Sequence, residues 1–235
     1  MLSRNQIKFI NSLKQKKFRL QHQLFVVEGE KIVNDFLNSD WKIEQIYATK
    51  EWEGDAVEVS IKELERISSL KTPNKVLAII KIPKRKSVIS GNLVLALDAI
   101  KDPGNLGTII RLADWFGIQH IICSQNCVEL YNPKVVQATM GSICRIQVQY
   151  LNLKATLENM TDYKICAAVM DGKSVFSVEK LEKRIVLLGS ESHGISSELL
   201  EMAHQKVTIP KSENSQAESL NVANACGIIL AQLSN

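Results

Sequence analysis

From Leu93 onward the chain alternates short apolar runs with longer amphipathic ones. The short runs are Leu93–Ile100, His120–Ser124, Ile146–Tyr150, Ile165–Val169, Ile185–Gly189 and Lys206–Ile209, and their lengths suit strands. A 3.6-residue period predicts helices over Leu106–Phe116, Pro133–Met140, Leu153–Met160, Ser197–Ala203 and Ser219–Leu233. Val/Ile/Leu-rich strands separated by helices imply a mainly parallel sheet covered on both faces, an α/β fold. Ligands of such sheets bind at loops beyond the strand C-termini, and glycine-bearing turns follow Ile100 and Leu188 there.

The first part of the chain predicts a smaller α/β unit. A helix over Asn5–Leu13 leads into the basic run KQKKFR, residues 14–19. Then come a strand at Phe25–Glu28, a helix at Glu30–Asn38, and strands at Ile43–Ala48 and Val57–Val59. A helix at Ile61–Leu70, which Ser60 can cap, and a strand at Val76–Ile82 complete it. The stretch Pro83–Gly91, PKRKSVISG, has turn residues at its ends, three cations and little pattern. The expected organisation is one domain over residues 1–84, a linker over 85–91 and a second domain over 92–235. No internal repeat interrupts it.

Charge sharpens this division. Lys and Arg outnumber Asp and Glu by 17 to 11 over residues 1–90, and fall short of them, 12 to 14, over 91–235. A basic appendage on a near-neutral body suggests a polyanion-binding module beside a domain with another task. Within the basic run, Lys14, Lys16, Lys17 and Arg19 surround Phe18, a mixture suited to phosphate contacts plus stacking. A solvated helix end with one packing residue explains the same run equally well. No apolar run is long enough to span a bilayer, and the N-terminus lacks a signal-peptide pattern, so a cytosolic protein is expected. Five cysteines inside apolar patterns read as reduced core residues, and no second Cys/His pair joins Cys123 and Cys127 to make a metal site.

Three stretches mix Gly, Pro and Asn with embedded polar groups: Asp102–Gly117, Leu187–Ile195 and Ile209–Ala223. In the first, Asn105 stands where a helix N-cap is expected, and Arg111 needs a partner or an anionic ligand. In the second, Ser190–Gly194 nearly matches a hydrolase nucleophile elbow around Ser192, but only His204 follows, one helix away, which disfavours hydrolysis. In the third, Ser219 can cap the last helix, while Asn221 and Asn224 are poor helix formers that need a compensating role. Neither a Walker loop nor G-x-G-x-x-G is present, so any nucleoside cofactor is held in another way.

In chain order, Asn105-x-Gly107-x-x-x-Arg111-x-Ala113, Leu188-Gly189-x-Glu191-x-x-Gly194 and Ile209-Pro210 with Ser219-Leu220-Asn221-Val222-x-x-Ala225 resemble the three motifs of the SpoU (TrmH) family of RNA 2'-O-ribose methyltransferases, within the SPOUT superfamily. The segment Leu24–Val33 and the basic helix before it are similar to that family's substrate-binding domain. The loop Lys211–Glu218 departs from the pattern, being longer and lacking a glycine. The resemblance implies S-adenosylmethionine as methyl donor, a ribose 2'-hydroxyl as acceptor, a deep trefoil knot and a homodimer. It assigns cofactor contacts to Leu188, Gly189, Glu191, Gly194, Ile209, Ser219, Leu220 and Asn221. Catalysis falls to Arg111, with Asn105, Glu191 and Asn221 shaping the pocket. A guanidinium holds its proton too firmly to be a base, so the expected role of Arg111 is to hold a phosphate and stabilise developing alkoxide charge. The RNA is expected to be ribosomal in preference to transfer RNA, contacted by Lys14, Lys16, Lys17 and Arg19. A non-catalytic RNA-binding protein that kept the fold is the alternative.

Overall fold

The computed structural model describes residues 1–83, 88–179 and 182–234, so residues 85–87 of the expected linker lie outside the described residues. The described chain divides into two compact units, residues 1–86 with 129–145, and residues 87–128 with 146–235.

The first unit contains α1 (Arg4–Ser12), α2 (Lys16–His22), β1 (Leu24–Glu28), α3 (Glu30–Leu37), β2 (Ile43–Ala48), β3 (Val57–Glu58), α4 (Ile61–Ile67) and β4 (Val76–Lys81). Its sheet has the order β1-β4-β2-β3, antiparallel except for the β2–β3 pair. Both α1 and α4 start in capping boxes, Ser3 with Gln6 and Ser60 with Glu63. The Glu63 carboxylate reaches further and accepts from the backbone N–H of Leu2 at 2.6 Å, tying the N-terminus to α4. Hydrogen bonds from the Ser60 backbone, then from Leu2 and the Ser60 hydroxyl, pull its pKa down to about 2.

Residues 129–145, which lie between two strands of the other unit in sequence, belong to this one. They carry α6 (Pro133–Thr139). Tyr131 lies 4.7 Å, ring to ring, from Phe25, which also packs edge-on against Phe36 and Trp41. The Trp41 indole donates to the Cys144 carbonyl at 3.0 Å. Glu129 forms an ion pair with Arg19. Arg19 is only 3% exposed and also donates to the carbonyls of Leu13 and Lys14 at 2.9 and 2.8 Å. Its expected part in binding RNA is therefore corrected: a guanidinium enclosed by a carboxylate and two carbonyls has no free donor face for phosphate. Lys14 is half-buried and donates to the Ser68 carbonyl, whereas Lys16 and Lys17 are exposed.

The second unit contains β5 (Leu93–Leu97), α5 (Pro103–Trp115), β6 (His120–Cys123), β7 (Gln147–Tyr150), α7 (Leu153–Asn159), β8 (Lys164–Ser174), β9 (Arg184–Leu188), α8 (Ser197–Leu200), β10 (Gln205–Thr208) and α9 (Val222–Leu233). Its six strands run in the order β10-β8-β9-β5-β6-β7, every pair parallel, the mixed α/β architecture with a mainly parallel sheet expected above. β5 and β9 are buried after their first residues; Val94, Leu95, Ala96 and Leu97 have no exposed surface, which explains their unbroken apolar run. One strand departs from expectation. β8 continues to Ser174, because its register with β10 jumps from Lys206↔Ala167 to Val207↔Lys173 and leaves residues 168–172 outside the ladder.

Two outcomes can be measured. Glu129→Ala would strand the buried Arg19 charge, and urea unfolding should show a loss of about 3 kcal/mol. The Glu63 carboxylate is depressed in the folded state, so its stabilisation is complete above the ordinary carboxylate range and lost as pH falls toward about 2. Glu63→Gln should accordingly remove part of the acid-side slope of stability against pH, with little change in that slope above neutrality.

Candidate active site

The three polar stretches converge at the carboxyl end of the parallel sheet. Asp102, rather than Asn105, caps α5, its carboxylate accepting from the Asn105 N–H at 2.8 Å. Asn105 is thus the third helical residue, and its side chain is released for contacts across the fold. Asn221, rather than Ser219, caps α9, its Oδ1 accepting from the N–H groups of Ala223 and Asn224 at 3.0 and 3.2 Å. Both expected caps are corrected by the same cause: the Asp102 and Asn221 side chains immediately precede their helices and reach the free N–H groups of the first turn.

With Oδ1 engaged in the cap, the Asn221 amide nitrogen must face the other way. It donates to Asn105 Oδ1 at 2.8 Å and to Glu191 Oε1 at 2.9 Å. Asn105 Nδ2 closes the triangle by donating to the same Glu191 oxygen at 3.0 Å. The helix cap therefore settles which end of the amide is nitrogen, an assignment otherwise left open by geometry. This is the compensating role that a poor helix former at position 221 required.

Glu191 is held on a tight loop. Ser190 and Gly194 exchange backbone hydrogen bonds at 3.1 and 2.8 Å. Gly194 has φ +65°, and a Cβ on Gly189 would come within 2.1 Å of the Gly194 backbone, so only glycine fits at 189. The far end of the loop is tied down by Asp98, a buried carboxylate at the end of β5 that accepts from Ser196 N–H at 2.9 Å. The hydrolase alternative loses its base here, because His204 Nδ1 already accepts from the Ile165 N–H at 3.1 Å.

A cavity of about 580 Å³ opens beside the loop, a volume typical of small-molecule sites. Its walls include Leu188, Gly189, Glu191, Gly194, Ile209, Ser219 and Leu220, all singled out from sequence. Asn221 is not on the wall; it sits behind, holding Glu191. Sequence reasoning missed Ala168, Val169 and Met170, which reach the cavity because the β8 segment outside the ladder bulges there. Periodicity alone marks them as ordinary strand residues, and only the register jump distinguishes them. Arg111 also does not line the cavity. It is exposed on α5, six residues beyond Asn105 and so about 9 Å further along the helix axis. No carboxylate pairs with its guanidinium among the described residues.

Among the described residues, no helix is long and apolar enough to cross a membrane, and no His/Cys/Asp/Glu cluster is arranged to hold a metal. Among the described residues no disulfide joins the cysteines, and Cys123, Cys127, Cys166 and Cys226 are buried.

A parallel α/β sheet with a cavity at its carboxyl edge, walled by glycine loops and the last helix, has the architecture of a small-molecule-binding α/β domain. Residues 92–231 match the SpoU rRNA Methylase family and residues 4–78 match the MRM3-like substrate binding domain. The chain belongs to the SpoU rRNA methylase family. It is 28% identical to the 23S rRNA (guanosine(2553)-2'-O)-methyltransferase RlmP of Bacillus subtilis, over 97% of this chain and 95% of that one. It superposes with TM-score 0.88 on a TrmH-family protein from Porphyromonas gingivalis, 37% identical, covering 99% and 98% of the two chains. An AdoMet-bound rRNA methyltransferase from Sinorhizobium meliloti gives TM-score 0.87 at 31% identity, covering 99% and 95%.

The triangle can be tested without a ligand. Asn221→Asp keeps the cap but sets a second carboxylate against Glu191, and should cost about 1 kcal/mol in urea unfolding. Adding Glu191→Gln should recover most of that loss, since the repulsion is removed, whereas two independent sites would give additive losses.

Proposed function

We propose that the chain transfers a methyl group from S-adenosylmethionine to a ribose 2'-hydroxyl of ribosomal RNA. The observation that carries this reading is the convergence of Asn105, Glu191 and Asn221, one from each motif, beside a cavity walled by the other motif residues. The cavity fits the cofactor. Leu188, Ile209 and Leu220 offer apolar walls, and Gly189 and Gly194 let backbone groups meet a ligand edge. When bound, S-adenosylmethionine supplies an electrophilic methyl on a sulfonium, whose carbon–sulfur bond electrons stay with sulfur as the ribose oxygen takes the methyl.

The protein's own residues account for the remainder. Glu191, Asn105 and Asn221 fix the relative position of the loop, α5 and α9, and so the distance between donor and acceptor. Arg111, exposed and with no carboxylate partner among the described residues, holds the phosphate next to the target ribose and stabilises negative charge growing on the 2'-oxygen as its proton leaves to solvent. The first unit acts as the RNA-binding domain, with Lys16 and Lys17 contacting phosphates and Lys14 contributing charge. The deep trefoil knot belongs to this reading, as do a homodimer with Trp115 and Ile228 on its apolar surface, and action in the cytoplasm. Ribosomal RNA is favoured over transfer RNA because the similar proteins from Bacillus subtilis and Sinorhizobium meliloti are rRNA methyltransferases.

The test is to map ribose methylation of ribosomal RNA in a deletion strain against its parent; one restored methyl on complementation is expected, and an unchanged map defeats the proposal. Calorimetry with S-adenosylmethionine separates an enzyme from a non-catalytic RNA-binding relative. Arg111→Lys should bind the cofactor normally and lose about 100-fold in turnover, because a point charge cannot replace a planar, two-pronged donor. Near-wild-type turnover in that variant would remove Arg111 from the mechanism.

A further inference from the structure

The first 27 residues hold six Lys and Arg and no Asp or Glu. Arg19 is engaged by Glu129 and Lys14 is drawn to the Ser68 carbonyl, while Arg4, Lys8, Lys16 and Lys17 remain exposed. On the same two helices three rings meet. His22 lies nearly parallel to Phe18, at 14° and 6.5 Å between centroids, and Phe9 meets its ring edge-on at 5.1 Å. Phe9 packs against the apolar core of the unit, so the stack is anchored from below, whereas His22 is exposed. Lys17 Nζ stands 5.9 Å from the Phe18 ring centre.

Cations alone would serve any polyanion, including a duplex. An exposed flat ring packed against two others has a narrower use: it offers a surface to an unstacked base. Bases in A-form RNA are already stacked on one another and cannot reach it. We propose that Phe9, Phe18 and His22 form a base-stacking platform, flanked by Lys16 and Lys17, that captures an unpaired nucleotide of the substrate RNA. This rests on the reading of the chain as an RNA-modifying enzyme and narrows its substrate to RNA with a single-stranded segment that α2 can reach. His22 is the outermost ring, and position 22 lies outside the basic run that marks this region in the sequence.

The full chain is titrated with a fluorescein-labelled, unstructured single-stranded RNA and with the blunt duplex of the same sequence, and S-adenosylmethionine binding is followed by calorimetry on each variant. His22→Ala should lose about tenfold in single-strand affinity with duplex affinity unchanged, and His22→Phe should restore it. Lys16→Gln with Lys17→Gln should weaken both probes and lower the single-strand salt slope by about 0.7 for each phosphate no longer neutralised. Equal single-strand affinity for His22→Ala and wild type overturns the platform, as does a wild-type chain that binds the cofactor but neither RNA. A chain that binds no cofactor while His22→Ala still loses single-strand affinity supports the platform and removes the methyltransferase reading instead.

Discussion

The amide of Asn221 is the constraint on which the site depends. Its oxygen is committed to the first turn of α9 and its nitrogen to Glu191 and Asn105, so one small planar group joins three segments far apart in sequence. Neither Asp nor Ser can do both: Asp lacks the donor, and Ser has one hydrogen to offer. The arrangement lies at the protein surface, where each hydrogen bond contributes modestly, so its value is geometric. These bonds fix the loop, α5 and α9 relative to each other beside the cavity.

The glycine loop has the same logic at backbone level. Gly189 is excluded from bearing any side chain by the backbone of Gly194 and Ile195, and Asp98 fastens the loop's far end to β5. The glycine loop and the β8 segment outside the ladder thereby both contribute to the cavity wall. Where the wall is main chain, no side chain has to be ordered when a ligand arrives, which lowers the entropic cost of binding.

The first unit obeys a different constraint. Of the cations that make its N-terminal segment so basic, one is occupied in holding residues 129–145 and another is directed at a backbone carbonyl. Net charge is thus a poor guide to which cations remain available. Burial decides: a guanidinium cannot be left unpaired inside a core, so Arg19 and Glu129 require each other.

Sequence by itself determined the element types and the parallel sheet, because alternation and the helical period report directly whether a position faces the core. It also marked the motif residues, since Asn in an apolar helix and glycines after a buried strand violate local preference and call for a tertiary reason. Tertiary structure alone decided that Ala168–Met170 reach the cavity, that Arg19 is enclosed, and that residues 129–145 pack with the first unit. Each depends on a partner many residues away, Glu129 for Arg19 and β10 for the bulge in β8. Local pattern records that a residue is buried or bonded; it does not record to what.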